Sequence, residues 1–489
     1  MYKKSVLVFS LLLWTNLFAQ VTVNVTPANS TAGNATIHTV SFTSTVSLPG
    51  DGQIVLVYPS GFDLSSILVV SSPSMDGSLS YSVSGDSVIL TRTGGTAQTP
   101  GDLEIVRLAN VTNAPLASNY QLTLRIKNNA GTILESGVSS SFSILPGPLD
   151  HFSVVLTGSS MIAGTPFDAT ITAQDAFNNT VTVFNATADL SDLTGTLSPL
   201  QTTSFTSGVW SGKLTVRKTT SSNTITARAQ GKAGTSNNFQ VLPTILGTFT
   251  FDPILSPQIA GKAFSIKITA KDTLGNVKTD YTGNASLSEK TTTLEVEATG
   301  TNQTPSFTLG TWTGNILITQ ASKDIQITAT GSGKTGVSGF FNVDPGPVDH
   351  FAILSIGDQS AGVPFPITVI ALDLNENVVT NFSGPLCRVN LAHTGVGTLT
   401  PSQSGNFFNG VWTGNVTISR TQTGDRITVN DGAGHTGQSS PFNVVASTVD
   451  HFVISSISTQ TAGVGFSVSV RAEDKENNLV TGFNGNASL

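Results

Sequence analysis

Three Asp-His-Phe triplets stand at Asp150-His151-Phe152, Asp349-His350-Phe351 and Asp450-His451-Phe452, and they hold half of the chain's six histidines. An aspartate beside an imidazole is raw material for acid–base catalysis or a metal site. A second polar set recurs as Asp175 with Asn179, Asp272 with Asn276, Asp373 with Asn377 and Asp474 with Asn478. Oxygens at that spacing could take Ca²⁺. They could equally close an Asx-type turn, with Asp accepting backbone N–H groups and Asn in the left-handed conformation. One carboxylate per turn is thin for a cation that wants six to eight oxygens, so the turn is the expected reading. A third set is Gly-x-Trp-x-Gly around Trp210, Trp312 and Trp412. An indole there could stack on a sugar or fill a core, and its fixed place between glycines favours the core.

The elements that carry these residues are set by a repeat. AGTPF, AGKAF, AGVPF and AGVGF begin at Ala163, Ala260, Ala361 and Ala462, spaced by 97, 101 and 101 residues, and the four aspartates of the second set keep the same spacings. Closing strings at Phe142, Phe239, Phe341 and Phe442 each lie ten residues before Phe152, Phe249, Phe351 and Phe452. The second copy has Gly247-Thr248 where the others have Asp-His, so the phenylalanine and the frame outlast the pair. Neighbours on a strand point to opposite faces, so Asp150 and His151 are not expected to meet as a dyad. The phenylalanine is expected to anchor a core. The aspartate is expected to accept a backbone N–H, and the histidine to face a neighbouring module or solvent. Catalytic, cofactor-binding and metal-ligating residues are all expected to be none. No G-x-S-x-G, H-E-x-x-H or P-loop string occurs, His38, His393 and His435 share no motif, and the carboxylates are too dispersed for a glycosidase pair.

FSIKITAKD, FPITVIALD and FSVSVRAED alternate apolar and polar residues up to a turn, the period of a half-buried strand. The expected fold is all-β, a string of antiparallel β-sandwich domains. Boundaries are expected at 20–146, 147–245, 246–345 and 346–446, with a partial copy over 447–489 that lacks the Trp and closing strings and should be the least stable region. That shortfall makes a fragment of a longer protein the expected status of the sequence. Junctions are short and often hold proline, as in LPGP at Leu145 and DPGP at Asp344, which predicts a semi-rigid series.

Only 11% of residues are charged, and Thr, Ser, Asn and Gly supply the polarity. MYKKSVLVFSLLLWTNLFAQ reads as a signal peptide over residues 1–19, and no later apolar run is long enough to span a bilayer. Without the leader, 21 basic and 30 acidic residues leave a formal charge of −9, against nucleic acid as a partner. The single Cys387 excludes an internal disulfide framework and is expected to be a small buried thiol.

The composite AG-x-x-F-x-[IV]-x-[VI]-x-A-x-D-x-x-x-N-x-[VL]-x-x-[FY]-x-G, best seen at Ala260–Gly283 and Ala361–Gly384, resembles bacterial Ig-like repeats of the invasin and intimin type. The resemblance covers residues 147–489 and implies modules of exported surface stalks. The N-terminal region is only distantly similar. The expected function is a non-enzymatic, secreted or cell-surface spacer with a role in adhesion. It would be a monomeric rod without cofactors, meeting an unknown protein or glycan ligand and attached, if at all, through a region beyond residue 489. The alternative is the non-catalytic front of a larger exported hydrolase.

Overall fold

The computed structural model describes residues 21–488, so the expected leader lies outside it. Every regular element among the described residues is a β-strand, as period-two patterning demands. Contacts divide the chain after Leu242 into two compact units.

The first unit opens with β1 (Thr22–Pro27), β2 (Ala35–Thr43), β3 (Gln53–Val57), β4 (Val69–Ser71), β5 (Ser78–Ser84), β6 (Ser87–Thr93), β7 (Leu103–Thr112), β8 (Ser118–Tyr120), β9 (Thr123–Lys127), β10 (Ile133–Val138) and β11 (Phe142–Ile144). They form sheets ordered β1-β2-β7-β4 and β10-β9-β3-β6-β5, with a short β11-β8 pair. Phe42, Leu56, Leu90, Leu108 and Leu124 fill one core.

Ten strands follow: β12 (His151–Leu156), β13 (Ser160–Ile162), β14 (Phe167–Gln174), β15 (Asp189–Asp192), β16 (Leu197–Ser198), β17 (Val209–Val216), β18 (Thr220–Asn223), β19 (Ile225–Ala229), β20 (Lys232–Thr235) and β21 (Phe239–Leu242). Their sheets are β12-β14-β17-β16, β13-β21-β18 and β15-β19-β20. The second unit repeats this pattern twice, over Leu246–Asp344 and His350–Val445. These are Ig-like β-sandwiches in series. One pair departs from the antiparallel expectation. β13 runs parallel to β21, as Gln258–Ile259 does to Phe341–Asp344 and Gln359–Ser360 to Phe442–Val445. The opening segment therefore serves one sheet with its first half and the other sheet with its second.

Register explains the strings. Phe152, Phe249 and Phe351 lie opposite Ala173, Ala270 and Ala371, the alanines two residues before each turn aspartate, and each ring is 2% exposed. A large ring beside a methyl group fills the layer without crowding. Trp210, Trp312 and Trp412 are buried, and each ring lies over the glycine two residues on. A Cβ on Gly212, Gly314 or Gly414 would come within 2.3, 2.4 and 2.3 Å of the indole. Residues i and i+2 share a strand face, so the small partner is required by the ring itself. Cys387 departs from expectation: it is half-buried at the core margin, and its thiol donates to the Ser383 carbonyl at 3.4 Å. The segment that carries it is a loop between strands.

Candidate functional site

Each Asp-Asn set folds as one compact turn. Asp373 Oδ1 accepts N–H bonds from Asn375 and Asn377, both at 2.9 Å, and Asp373 N donates to the Asn377 carbonyl at 2.9 Å. The Asn377 amide nitrogen lies 3.1 and 3.0 Å from the two carboxylate oxygens. Oδ2 also accepts from Gly346 N at 2.8 Å, the glycine between Pro345 and Pro347 in the linker. Asp175 and Gly147 repeat this contact at 2.7 Å, Asp272 and Thr244 at 3.1 Å, and Asp474 and Ser447 at 3.1 Å. The expected Asx-type closure is present, with one correction. The residue with positive φ is the one before the asparagine: Asn178, Gly275, Glu376 and Asn477. The asparagine side chain bonds its own aspartate and also reaches beyond the turn.

That reach crosses a repeat boundary. Asn377 Oδ1 accepts from Ala321 N at 2.8 Å and its Nδ2 donates to Thr319 O at 2.7 Å. Asn179 binds Ala117 N and Pro115 O at 2.8 and 2.7 Å. Asn478 binds Thr421 N and Ser419 O at 3.2 and 2.9 Å. One side-chain amide thus satisfies a donor and an acceptor in the preceding repeat, while the aspartate holds the linker. The AG string supplies the space. A Cβ on Gly33, Gly261 or Gly362 would collide with Phe177, Asn375 or Glu476, each two residues into the next turn. All three glycines have positive φ, between 69° and 74°, which L side chains avoid. Gly33 shows that the N-terminal region carries the same socket, although its sequence is only distantly similar.

Burial pushes the carboxyls of Asp175, Asp272, Asp373 and Asp474 up, but the asparagine amide and backbone N–H groups outweigh it and hold them below the usual carboxylate range. Both oxygens face N–H donors, the reverse of the oxygen shell that Ca²⁺ takes. Among the described residues no group of three or more His, Cys, Asp or Glu side chains could hold a metal ion.

The Asp-His expectation is corrected. His151, His350 and His451 each bring Nδ1 to Oδ2 of the preceding aspartate, at 3.1, 3.1 and 3.2 Å. Alternation applies within a strand, and the aspartate stands one residue before the strand begins, so it can turn back. Asp150 also takes Lys232 Nζ at 3.3 Å, and the His151 bond followed by Lys232 keeps its carboxyl low. The far ring nitrogens of His350 and His451 face Glu376 and Glu473 at 3.6 and 3.7 Å. A dyad of this type activates a nucleophile only when that nitrogen reaches a hydroxyl or thiol, and here it meets a second carboxylate.

Two further histidines are paired in ways their spacing does not reveal. His393 Nδ1 lies 2.8 Å from Asp425, a residue 32 positions on. His38 is buried, with Nε2 2.8 Å from Asn113 Oδ1 and Nδ1 3.3 Å from the Tyr58 hydroxyl. Asn113 spends its NH₂ on the Asn29 and Thr31 carbonyls, so its oxygen must accept, and His38 carries the proton on Nε2. Burial lowers His38 to about 4, against the smaller opposing pull of Asn113.

No family model and no curated protein matches the chain. Among solved structures it is similar to FdeC, an Escherichia coli adhesin, at 15% identity and a TM-score of 0.32, over 67% of this chain and 96% of that one. Invasin, a bacterial integrin-binding protein, is similar at 12% identity and 0.31, over 86% and 79%. InvD of Yersinia pseudotuberculosis follows at 16% and 0.30, over 65% and 97%. These neighbours are adhesin- and invasin-type Ig-like proteins. Likeness at this level carries no inference about ligand or activity.

Proposed function

We propose that the chain is a non-enzymatic, extracellular spacer whose β-sandwich modules, at the boundaries given above, are held in register by their Asp-Asn turns. The observation that carries this reading is the bridging amide. Asn179, Asn377 and Asn478 each bond a donor and an acceptor in the repeat before them. A turn needed only to join two strands would spend its asparagine on its own aspartate alone. At these three junctions the side chain couples a module to its neighbour, and short linkers, proline-bearing at residues 145–148 and 344–347, limit the remaining freedom. Module count then converts into reach.

Small-angle scattering of the whole chain tests it. The wild type should fit a narrow ensemble of orientations, and replacing Asn179 and Asn377 by alanine should broaden that ensemble without unfolding the modules. A wild-type chain that already scatters as freely jointed beads, or a double variant with an unchanged profile, would remove the proposal.

A further inference from the structure

Residues 76–86 read DGSLSYSVSGD, the same in both directions except that Leu79 exchanges with Val83. The string centres on β5, the outermost strand of the five-stranded sheet. β5 is seven residues long, carries no charge or proline, and pairs with β6 without a break from Ser78 opposite Thr93 to Ser84 opposite Ser87. The far edge of the same sheet is blunted: β10 is bulged between Ile133 and Glu135 and carries that glutamate. Exposed edges without such devices are templates for another strand.

The hairpin turn decides which backbone groups face outward. Gly85, at φ 55, and Asp86 form a two-residue loop, so Ser84 and Ser87 close the hairpin as a hydrogen-bonded pair. Alternation then directs the N–H and C=O of Ser82, Ser80 and Ser78 to β6, and those of Val83, Tyr81 and Leu79 away from it. Among the described residues no strand or loop backbone bonds these three on that side.

We propose that β5 is a homotypic docking edge, on which two copies of this chain pair antiparallel across a two-fold axis at Tyr81. In that register Tyr81 meets its own counterpart, Leu79 meets Val83, and serine meets serine at the other positions. The outward groups form about six inter-chain bonds, two for each facing pair, and two five-stranded sheets become one. A closed two-fold contact must be self-complementary, which the near-palindrome supplies; a strand from a foreign protein would impose no such symmetry. Side chains agree. Leu79 packs against the core, and the Tyr81 hydroxyl donates to Ile67 O at 2.8 Å, so pairing extends an existing apolar layer. Beside it β4 leaves Val69 56% exposed, next to Leu68 at 71%. Where Asp86 of one copy nears Asp76 of the other, Arg92 already stands 3.2 Å from Asp76. The monomer expected from the sequence gives way to a dimer joined through the N-terminal module.

Sedimentation equilibrium of the whole chain at up to about 100 µM is the test. The wild type should be a reversible dimer. Tyr81→Lys and Tyr81→Glu should each weaken it roughly tenfold or more, because each places like charges face to face on the axis. Mixing the two variants should restore the dimer, an outcome that also proves both are folded. Val83→Lys, which leaves the Tyr81 hydroxyl bond intact, should weaken it as well. A monomeric wild type, variants that dimerise as before, or a mixture that stays monomeric would each overturn the proposal.

Discussion

The third repeat and the last copy share the Asp-His-Phe, AG and Asp-x-x-x-Asn strings, yet they treat them differently. Phe351 and Phe365 are 2% and 3% exposed, whereas Phe452 and Phe466 are 42% and 48% exposed. The turns do not share this contrast. Asp373 and Asp474 are both buried, and both accept the same pattern of bonds from the second and fourth residues that follow. The difference separates two kinds of information. A five-residue turn closes on itself and docks on the repeat before it. A core phenylalanine needs covering segments, here the loop with Phe407 and the strands with Trp412 and Phe442, and residues 447–488 contain no counterpart of them.

The sharpest way to break this contrast is truncation of the two rings. Phe351→Ala removes a ring held 5.5 and 5.9 Å from Phe382 and Phe407 and should cost about 3–5 kcal/mol. Phe452→Ala, whose one aromatic neighbour among the described residues is Phe483 at 5.3 Å, should cost less than about 1 kcal/mol. Hydrogen exchange of amides in each repeat would report both, and equal losses would erase the distinction.

Acid should reveal the similarity instead. Asp373 and Asp474 have carboxyls held low in the fold, so their contribution is present above the unfolded carboxyl value and is lost as pH falls through the folded one. Amides at 373–377 and 474–478 should therefore lose protection together below about pH 4 and remain indifferent between about pH 5 and 8. Loss at one turn alone would show that the sandwich, and not the local bonding, holds it.

The smallest effect is expected at the histidines. His350→Gln and His451→Gln remove half-exposed rings from pairs with exposed aspartates, and each should change stability by less than about 0.5 kcal/mol. The second repeat already manages without the pair, having Gly247-Thr248 there. A large loss at His350 alone would give that residue a role its geometry does not provide.

Much of this was legible before any coordinate. Alternation placed the strands, the ten-residue spacing picked out the core phenylalanines, and Asp-x-x-x-Asn read as a turn. The errors have local causes. Asp150 precedes its strand, so strand alternation does not bind it, and the left-handed conformation falls on the residue before each turn asparagine. The palindrome around Tyr81 was open to view, but nothing in the chain marked β5 as an edge.

By itself the sequence determined what depends on contacts of a few residues: strand period, turn closure, and the glycine that each tryptophan needs two positions on. Only the tertiary structure decided that Asn377 reaches back to Thr319 and Ala321, that His393 meets Asp425, and that Phe452 stays uncovered. Short-range geometry is written in spacing because bond lengths and dihedrals enforce it. Partners tens of residues away are chosen by how sheets stack, and one-dimensional spacing does not record that choice.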